Sequence, residues 1–346
     1  MHEGGRPILL LFTLCLSCVV CGAVVSSTQR EQWRMEIQKA LFVSAPLPRL
    51  SPQTFGRFYP AHGVVAERIT YGTEYGMRIP AVLYTPKRHG RLMPALIVVP
   101  GHAGDKYSWY SFYTDILYAK AGAAVLTYDP VGEGERNSEH QSGTRAHDRV
   151  VNVPGYPQHL SGLMITDVMQ GVSYLSSRAD VDPNRIAILG YSMGSFVAAL
   201  TGAIDKRIGS VVLSGGGDLD GPGGYWDNSA KMCQGIPWQS LSSLGDRPAI
   251  VYALNVERGP TLIMNGTADT VVDIPHHSES FFRDLQSRVE PLNGISGNIF
   301  VTQFQPDVSH RPSWVMRPCR FVATAAVAFS QLDSTGDRNH APGSHK

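Results

Sequence analysis

Short apolar runs alternate with longer amphipathic segments along most of the chain, and this alternation limits the folds open to it. The runs Ala95–Pro100 and Ile186–Gly190 are almost continuously apolar, which is typical of strands buried on both faces of a parallel sheet. The amphipathic segments between such runs are long enough for crossover helices. The sequence therefore predicts an α/β fold with a mostly parallel central sheet flanked by helices.

The predicted strands are Val64–Tyr71, Met77–Thr85, Ala95–Pro100, Ala123–Tyr128, Ile186–Gly190, Val211–Ser214, Thr261–Asn265 and Asn298–Phe304. The first two are expected to form an antiparallel pair. The predicted helices are Gln29–Leu41, Tyr107–Ala121, Met193–Ala203, Ser278–Val289 and Trp314–Phe329, and Asp167–Ser177 is predicted to lie in a further helix.

The charge balance excludes some classes of function. The 346-residue chain has 30 Lys and Arg residues against 29 Asp and Glu residues, a formal net charge of +1. A nucleic-acid-binding protein normally carries a basic excess on one face, so no nucleic-acid partner is predicted. Hydrophobic residues make up 43% of the chain, which is enough to bury a large core, and the length fits one α/β domain or two smaller ones.

The N-terminus has the order of an export signal. Arg6 precedes the apolar run Ile8–Val20, and the small residues Cys21–Ala23 follow. Residues 1–23 are therefore predicted to be a signal peptide cleaved after Ala23, and the protein is predicted to be exported to the periplasm or the extracellular space. The alternative is an uncleaved membrane anchor, and only in that case is the membrane a partner.

The five cysteines fall into two groups. Cys15, Cys18 and Cys21 imitate the spacing of an iron–sulfur motif, but they lie in the apolar run that is predicted to be removed. Cys233 and Cys319 remain, and the sequence leaves open whether they pair. Since H-E-x-x-H, P-loop and further C-x-x-C motifs are absent from the sequence, no cofactor and no metal are predicted.

Composition also suggests how the chain is divided. Residues 24–60 read as an N-terminal extension packed on the domain, and residues 61–332 as the α/β domain itself. Residues from about 215 to 259 are rich in Gly and Trp, and they read as an insertion over the carboxyl ends of the strands, where open α/β sheets place their sites. Residues 333–346 are polar and read as a disordered tail.

A candidate nucleophile lies between the strand Ile186–Gly190 and the helix that follows. Gly190–Gly194 reads G-Y-S-M-G, which matches the G-x-S-x-G elbow. In that setting the turn exposes the Ser192 hydroxyl at the strand's carboxyl end, beside a helix N-terminus whose dipole favours developing negative charge. The alternative is a glycine-rich turn in which Ser192 only caps the helix.

A serine nucleophile needs a base, and the base needs an orienting acid, in the chain order Ser, Asp or Glu, His. Asp269 follows the predicted strand Thr261–Asn265 and is the expected acid, with Asp273 as the alternative. His310 follows the last predicted strand and is the expected base. His276 and His277 come too soon after Asp269 for this role.

The oxyanion of a tetrahedral intermediate needs two donors. The amide of Met193, the residue after the nucleophile, is the first candidate. The second is expected in the loop after the strand Ala95–Pro100, which makes the backbone of His102 or Ala103 the candidate. Two alternatives remain: the His102 side chain could shape the pocket, or the loop could be only a turn.

Together these residues resemble the α/β-hydrolase family, from about Val64 to Phe329. The D-P-V-G-E-G-E-R run at Asp129–Arg136 and the Pro-Gly-His after the oxyanion strand are most similar to secreted acetyl-xylan-esterase-like carboxylesterases. The hairpin around Ile79–Pro86 is similar to these enzymes and to prolyl-oligopeptidase-type enzymes. The resemblance implies the α/β-hydrolase fold and a turn-forming role for the Asp129–Arg136 run.

The resulting expectation is a secreted serine carboxylesterase that cleaves short-acyl, above all acetyl, esters through an acyl-enzyme. Its partner would be a small-molecule or carbohydrate ester, and Trp226 and Trp238 either form a wall of the substrate pocket or pack in the core. One alternative is a prolyl-oligopeptidase-like peptidase, which usually carries a large gating domain in addition. The other is a catalytically inactive hydrolase fold used for binding.

Overall fold

The computed structural model describes residues 24–90, 92–150, 152–217, 224–228, 233–294 and 300–312. Three of the predicted segments therefore lie outside the described residues. They are the signal peptide 1–23, the helix Trp314–Phe329 and the tail 333–346.

A nine-stranded sheet forms the centre of the described part of the chain. In chain order the strands are β1 (Gln53–Ala61), β2 (Val64–Gly72), β3 (Arg78–Pro86), β4 (Met93–Val99), β5 (Ala124–Tyr128), β6 (Val181–Tyr191), β7 (Ser210–Ser214), β8 (Thr261–Gly266) and β9 (Phe300–Gln305). Their order across the sheet is β1-β2-β3-β5-β4-β6-β7-β8-β9. The pairs from β1 to β5 are antiparallel, and all the pairs from β5 to β9 are parallel. The predicted mostly parallel sheet and its antiparallel pair β2/β3 are confirmed.

Helices cover both faces of this sheet. In chain order they are α1 (Ser27–Ala40), α2 (Trp109–Lys120), α3 (Tyr156–Ser176), α4 (Met193–Ile204), α5 (Tyr225–Asn228), α6 (Gly235–Gln239), α7 (Arg247–Asn255) and α8 (Glu279–Asn293). Helix α2 packs on one face, and α1, α3, α4, α7 and α8 contribute to the core on the other. Within the described ranges, no helix is both long enough and apolar enough to cross a bilayer.

Strand β4 shows why the central strands are apolar throughout. Ala95, Ile97 and Val99 face the core that contains α3 and α4, whereas Leu96 and Val98 face the core that contains α2. All five side chains are buried, so neither face of the strand tolerates polar residues. The carboxyl end of β4 pairs with β6, with Val99 opposite Gly190.

Residues 53–61 differ from the sequence-based prediction of an extension without strands. They form β1, which pairs antiparallel with β2 at the edge of the sheet. Most of its residues are exposed, including Phe55 and Tyr59. Because an edge strand exposed on both faces lacks the apolar alternation of a half-buried strand, β1 has no periodic signal in the sequence.

Helix α3 includes the segment Asp167–Ser176 and is capped by Ser177, in agreement with the prediction that Asp167–Ser177 lies in a helix. It begins at Tyr156, where Pro157 suits a first turn. Gly162 within it packs so closely that a Cβ there would lie 2.0 Å from the Leu41 carbonyl oxygen. Residues 247–255, predicted to be part of an insertion over the strand ends, form the crossover helix α7 between β7 and β8, and it packs against α4 and α8.

Candidate active site

The turn between β6 and α4 holds Ser192 in a strained backbone conformation. Its φ is 54° and its ψ is −119°, a combination that non-glycine residues rarely adopt. The two flanking glycines allow the strand and the helix to come this close. A Cβ on Gly190 would lie 2.1 Å from the Gly194 carbonyl oxygen, and a Cβ on Gly194 would lie 2.1 Å from the Val99 carbonyl oxygen. The local geometry is that of the predicted elbow.

Ser192, His310 and Asp269 are joined by two hydrogen bonds. Nε2 of His310 lies 2.9 Å from Oγ of Ser192, and Nδ1 lies 2.8 Å from Oδ2 of Asp269. Because an ionised carboxylate only accepts hydrogen bonds, Nδ1 carries the imidazole proton and Nε2 accepts from the serine hydroxyl. This arrangement allows the imidazole to take the hydroxyl proton while the carboxylate stabilises the imidazolium.

The position of Asp269 is fixed by backbone amides. The carboxylate is fully buried, and its Oδ1 accepts hydrogen bonds from Val271 (2.9 Å) and Val272 (3.2 Å). Its other oxygen is thereby directed at His310. The alternative acid, Asp273, instead bonds with the exposed His276. The structure therefore brings Asp269, and not Asp273, together with the candidate base.

The other side of His310 is held by Tyr191 and by the chain after β7. The Tyr191 hydroxyl donates to the His310 carbonyl oxygen at 3.1 Å, and the two rings lie 5.4 Å apart. A Cβ on Gly215 would lie 3.2 Å from Cε1 of His310, so the absence of a side chain at Gly215 leaves room for the imidazole. Asn265 is buried and bonds in both directions with the backbone of Gly216, which fixes this glycine segment.

The loop after β4 lies directly against Ser192. A Cβ on Gly101 would lie 3.2 Å from Cβ of Ser192, and the amide of Gly101 donates to the buried Tyr110 hydroxyl at 2.9 Å. That amide is therefore already used, and the amides of His102 and Ala103 come next in the loop. Met193, the other predicted donor, is the first residue of α4. All the predicted oxyanion residues thus lie on the two segments that adjoin Ser192.

The side chain of His102 contacts residues that the sequence did not single out. Its Nε2 lies 2.9 Å from Nε2 of His147 and 3.1 Å from Oδ1 of Asp148, and its Nδ1 lies 3.3 Å from Nη2 of Arg145. Together with Cys233, these residues other than Arg145 could hold a metal ion. Burial and the nearby His102 lower the pKa of His147 to about 4, so its imidazole is neutral at pH 7. Of this region, the sequence singled out only the Asp129–Arg136 run, which positions Arg145, His147 and Asp148.

That run forms a turn, as the resemblance implied. Asp129 is fully buried, and its carboxylate accepts from the ammonium of Lys106 and from the amide of Glu135 (2.9 Å). Gly132 has a φ of 85°, and a Cβ there would lie 2.8 Å from the amide nitrogen of His147. The buried Glu133 accepts from the amide of Arg145 at 2.8 Å. The turn therefore carries residues 145–148 towards the loop after β4.

Trp226 and Trp238 do not line the site. They are 1% and 0% exposed, and their rings meet edge to face at 5.6 Å. Trp226 also packs edge to face on Phe196 of α4. Of the two roles that the sequence left open, the structure supports packing in the core and not a pocket wall. Cys233 is a free buried thiol, and Cys319 lies outside the described residues.

Comparison with known proteins identifies a family. The family model described as the prolyl oligopeptidase family matches residues 109–318, which include Ser192, Asp269 and His310. Among curated proteins, YtaP of Bacillus subtilis (strain 168), whose name describes it as a hydrolase, is 29% identical over 143 residues. The aligned residues make up 38% of this chain and 46% of YtaP. The chain thus spans less than half the length of this relative.

Solved structures with esterase titles share the fold. Methylesterase BT1017 superposes with a TM-score of 0.63 and 19% identity, over 86% of this chain and 64% of its own. Acetyl xylan esterase 1 from Thermoanaerobacterium sp. JW/SL YS485 superposes with a TM-score of 0.57 and 18% identity, over 88% of this chain and 98% of its own. At such low identity, these likenesses extend to the α/β-hydrolase fold alone.

Proposed function

Because the chain belongs to the prolyl oligopeptidase family, which has the α/β-hydrolase fold, we propose that it is a serine hydrolase that cleaves carboxylic esters. The observation that carries this proposal is the pair of hydrogen bonds from Ser192 through His310 to Asp269. A strained elbow, a buried acid and a partly buried imidazole are the requirements for activating a serine hydroxyl, and all three are present at this point.

The proposed reaction has two steps. In the first, Nε2 of His310 takes the proton from Ser192 as Oγ attacks the ester carbonyl carbon, and the imidazolium then gives that proton to the departing alcohol. In the second, Nε2 of His310 takes a proton from water as the water oxygen attacks the acyl carbon, and the imidazolium then gives that proton to Oγ of Ser192 as the bond between Oγ and the acyl carbon breaks and the carboxylic acid leaves. Asp269 stays ionised throughout and stabilises the imidazolium.

The oxyanion of each tetrahedral intermediate would be bound by backbone amides. Met193 supplies the first of these in our proposal, and His102 or Ala103 supplies the second. The close approach of Gly101 to Ser192 supports this role, since it places the loop beside the hydroxyl that would attack the ester. The Tyr110 hydroxyl, which accepts a hydrogen bond from the Gly101 amide, would hold the loop in the position where its next amides can reach the oxyanion.

We propose short-acyl esters, acetyl esters of carbohydrates above all, as substrates. The resemblance of the Asp129–Arg136 run and the fold shared with an acetyl xylan esterase and a methylesterase support this proposal. We also propose export by residues 1–23, on the charged, apolar and small-residue order of that segment. Edman sequencing of the protein recovered from culture would test it, since export with cleavage predicts a mature chain that starts at Val24.

A peptidase is the second candidate, and the description of the matching family favours it. The same serine, histidine and aspartate could attack an amide. The choice of substrate distinguishes the two candidate functions, because a peptidase of this kind would cleave a proline-containing p-nitroanilide and an esterase would leave it intact.

The test is hydrolysis of p-nitrophenyl acetate, butyrate and octanoate and of Gly-Pro-p-nitroanilide by the wild-type protein and two variants. Ser192→Ala removes the nucleophile, and Ser177→Ala changes an exposed serine at the end of α3 as a matched control. We expect the acetate to be cleaved fastest, the anilide to be left intact, and turnover to fall by a factor on the order of 10⁴ or more in Ser192→Ala only. Equal turnover in both variants would overturn the proposal.

A further inference from the structure

Four side chains able to bind a metal converge beside the candidate active site. His102, His147, Asp148 and Cys233 each direct one ligand atom to the same place, and these atoms all lie within 4.8 Å of one another. The first three come from the loop after β4 and from residues 146–150, and the fourth comes from the segment between α5 and α6. We propose that these four residues form a zinc site with four protein ligands, which the scattered sequence positions did not reveal.

The spacing of three of the atoms suits a metal ion. Nε2 of His102, Nε2 of His147 and Oδ1 of Asp148 form a triangle with sides of 2.9, 3.1 and 3.4 Å. Two ligand atoms about 2.05 Å from a tetrahedral zinc ion lie about 3.3 Å apart. The triangle therefore needs shifts of only a few tenths of an ångström to accommodate the ion. The mixture of nitrogen, oxygen and sulfur ligands also favours zinc over the oxygen-seeking Mg²⁺ and Ca²⁺.

His147 is already oriented as a ligand. Its Nδ1 lies 2.8 Å from the carbonyl oxygen of Val131, which can only accept a hydrogen bond. The ring proton therefore lies on Nδ1, and the lone pair of Nε2 points into the cluster. A backbone carbonyl bonded to the far nitrogen is the arrangement that orients metal-binding histidines in general.

His102 shows what the ion would replace. Arg145 can only donate, so its 3.3 Å contact with Nδ1 of His102 puts the proton of that ring on Nε2, among the three ligand atoms. Zinc would take the place of this proton, and the proton would move to Nδ1. Arg145 would then have to leave the ring, which is possible because its side chain is 42% exposed and keeps its contact with Oδ2 of Asp148 at 2.7 Å.

The charges of the site also balance. Asp148 contributes one negative charge, and the Cys233 thiol would lose its proton to contribute the second, so that both together neutralise Zn²⁺. Burial and the nearby Asp148 carboxylate raise the pKa of the Cys233 thiol, and a bound cation would reverse this effect because a coordinating thiol ionises. Since the His102 proton only moves within its ring, binding of one zinc ion releases one proton, the one from Cys233.

The site would join both sides of the proposed oxyanion hole. His102 belongs to the loop that lies against Ser192, and Sγ of Cys233 lies 3.5 Å from Sδ of Met193. An ion bound by four residues from three segments of the chain would thus fix the loop after β4 relative to the start of α4. The metal would act as a structural clamp and would not itself touch the ester.

The test is titration of tag-free, chelator-treated full-length protein with Co²⁺, whose spectrum reports both geometry and ligands. We expect one Co²⁺ per chain, intense visible bands of a tetrahedral ion, and a near-ultraviolet charge-transfer band from the thiolate. Zn²⁺ should displace Co²⁺ and raise the melting temperature. Ser192→Ala should give the same spectrum, so this experiment tests the metal site independently of the proposed nucleophile. A wild-type protein that binds no Co²⁺, or binds it with an octahedral spectrum, would contradict the site without need of any variant.

Variants then assign the ligands. Cys233→Ser should remove the charge-transfer band and weaken binding at least tenfold, and His147→Gln should weaken binding at least a hundredfold. His159→Gln changes an exposed histidine of α3 as the matched control and should leave the titration unaltered. Unchanged titrations in folded Cys233→Ser and His147→Gln would overturn the assignment, as would a Cys233–Cys319 disulfide in the native protein.

Discussion

Nε2 of His310 lies 2.9 Å from Oγ of Ser192, although 118 positions separate the two residues along the chain. The parallel part of the sheet brings them together. Ser192 follows β6, Asp269 follows β8 and His310 follows β9, and the carboxyl ends of parallel strands meet at one edge. The site therefore depends on the strand order β6-β7-β8-β9, and its precision depends on the loops that hold the three side chains.

Tyr110→Phe tests whether the loop after β4 is positioned by the Tyr110 hydroxyl. The change leaves the buried amide of Gly101 without its acceptor, and a lost hydrogen bond of this kind costs about 1–3 kcal/mol. We expect kcat for p-nitrophenyl acetate to fall by about tenfold or more, with little change in KM. Tyr113→Phe, at an exposed tyrosine of the same helix, is the control and should behave as the wild type. Equal kinetics in both variants would mean that the loop needs no such support.

Gly194→Ala tests the close approach of α4 to β4. The added methyl group would meet the carbonyl oxygens of Val99 (2.1 Å) and Pro100 (2.7 Å), which are backbone atoms in the centre of the fold. We expect the free energy of unfolding to fall by about 3 kcal/mol or more, as measured by urea denaturation. Gly90→Ala is the control, since a Cβ there meets nothing within 4 Å. A Gly194→Ala protein as stable as the control would refute the packing described for the elbow.

Arg247 and Asp227 form a buried ion pair that joins α5 to α7. Their side chains are 4% and 6% exposed, and Nη2 of Arg247 lies 2.8 Å from Oδ2 of Asp227. Arg247→Met should lower the free energy of unfolding by about 3–5 kcal/mol because it leaves Asp227 buried without a counter-charge. The double variant Arg247→Met with Asp227→Leu should recover a large part of this loss. Additive losses in the double-mutant cycle would show that the pair is not coupled.

His147 makes the stability of the metal-depleted protein depend on pH. His102, Asp148 and Arg145 face it, and burial together with His102 lowers its pKa from 6.5 to about 4. Between these two values the unfolded chain binds a proton that the folded chain does not. The free energy of unfolding should therefore be fully maintained above pH 6.5 and fall by up to about 3 kcal/mol as the pH drops to 4.

Urea denaturation from pH 4 to 7 in the presence of a chelator measures this dependence. In His147→Gln the contribution of His147 disappears, so the curve should be flatter than in the wild type, whereas the exposed-residue variant His159→Gln should keep the wild-type slope. Identical slopes in all three proteins would show that His147 takes up its proton with the same affinity in both states.

The parallel strands and the elbow could be predicted from sequence because their signals are local. β4 and the second half of β6, Ile186–Gly190, are apolar on both faces, and Ser192 lies between two glycines at the end of β6. The order of Asp269 and His310 after further strands then sufficed to select them. Strand β1 could not be found this way, because its residues are largely exposed and carry no apolar period.

Long-range contacts account for the other omissions. Tyr110 accepts a hydrogen bond from the Gly101 amide, but in the sequence it occupies a buried position of α2 that any apolar residue could fill. His147 reaches His102 only because the turn at Gly132 lets the two segments approach, and no spacing rule connects them. Trp226 and Trp238 are ambiguous in sequence, since both a pocket wall and a buried core favour aromatic residues.

The most direct test of the account is the site of covalent labelling by a fluorophosphonate, which reacts with activated serine hydroxyls. The wild-type protein and Ser192→Ala are treated with the reagent, digested, and mapped by tandem mass spectrometry. We predict one adduct per wild-type chain, located on Ser192, together with loss of ester hydrolysis in proportion to labelling, and no adduct in the variant. An adduct on another serine, or full ester hydrolysis by a protein labelled at Ser192, would contradict the central claim.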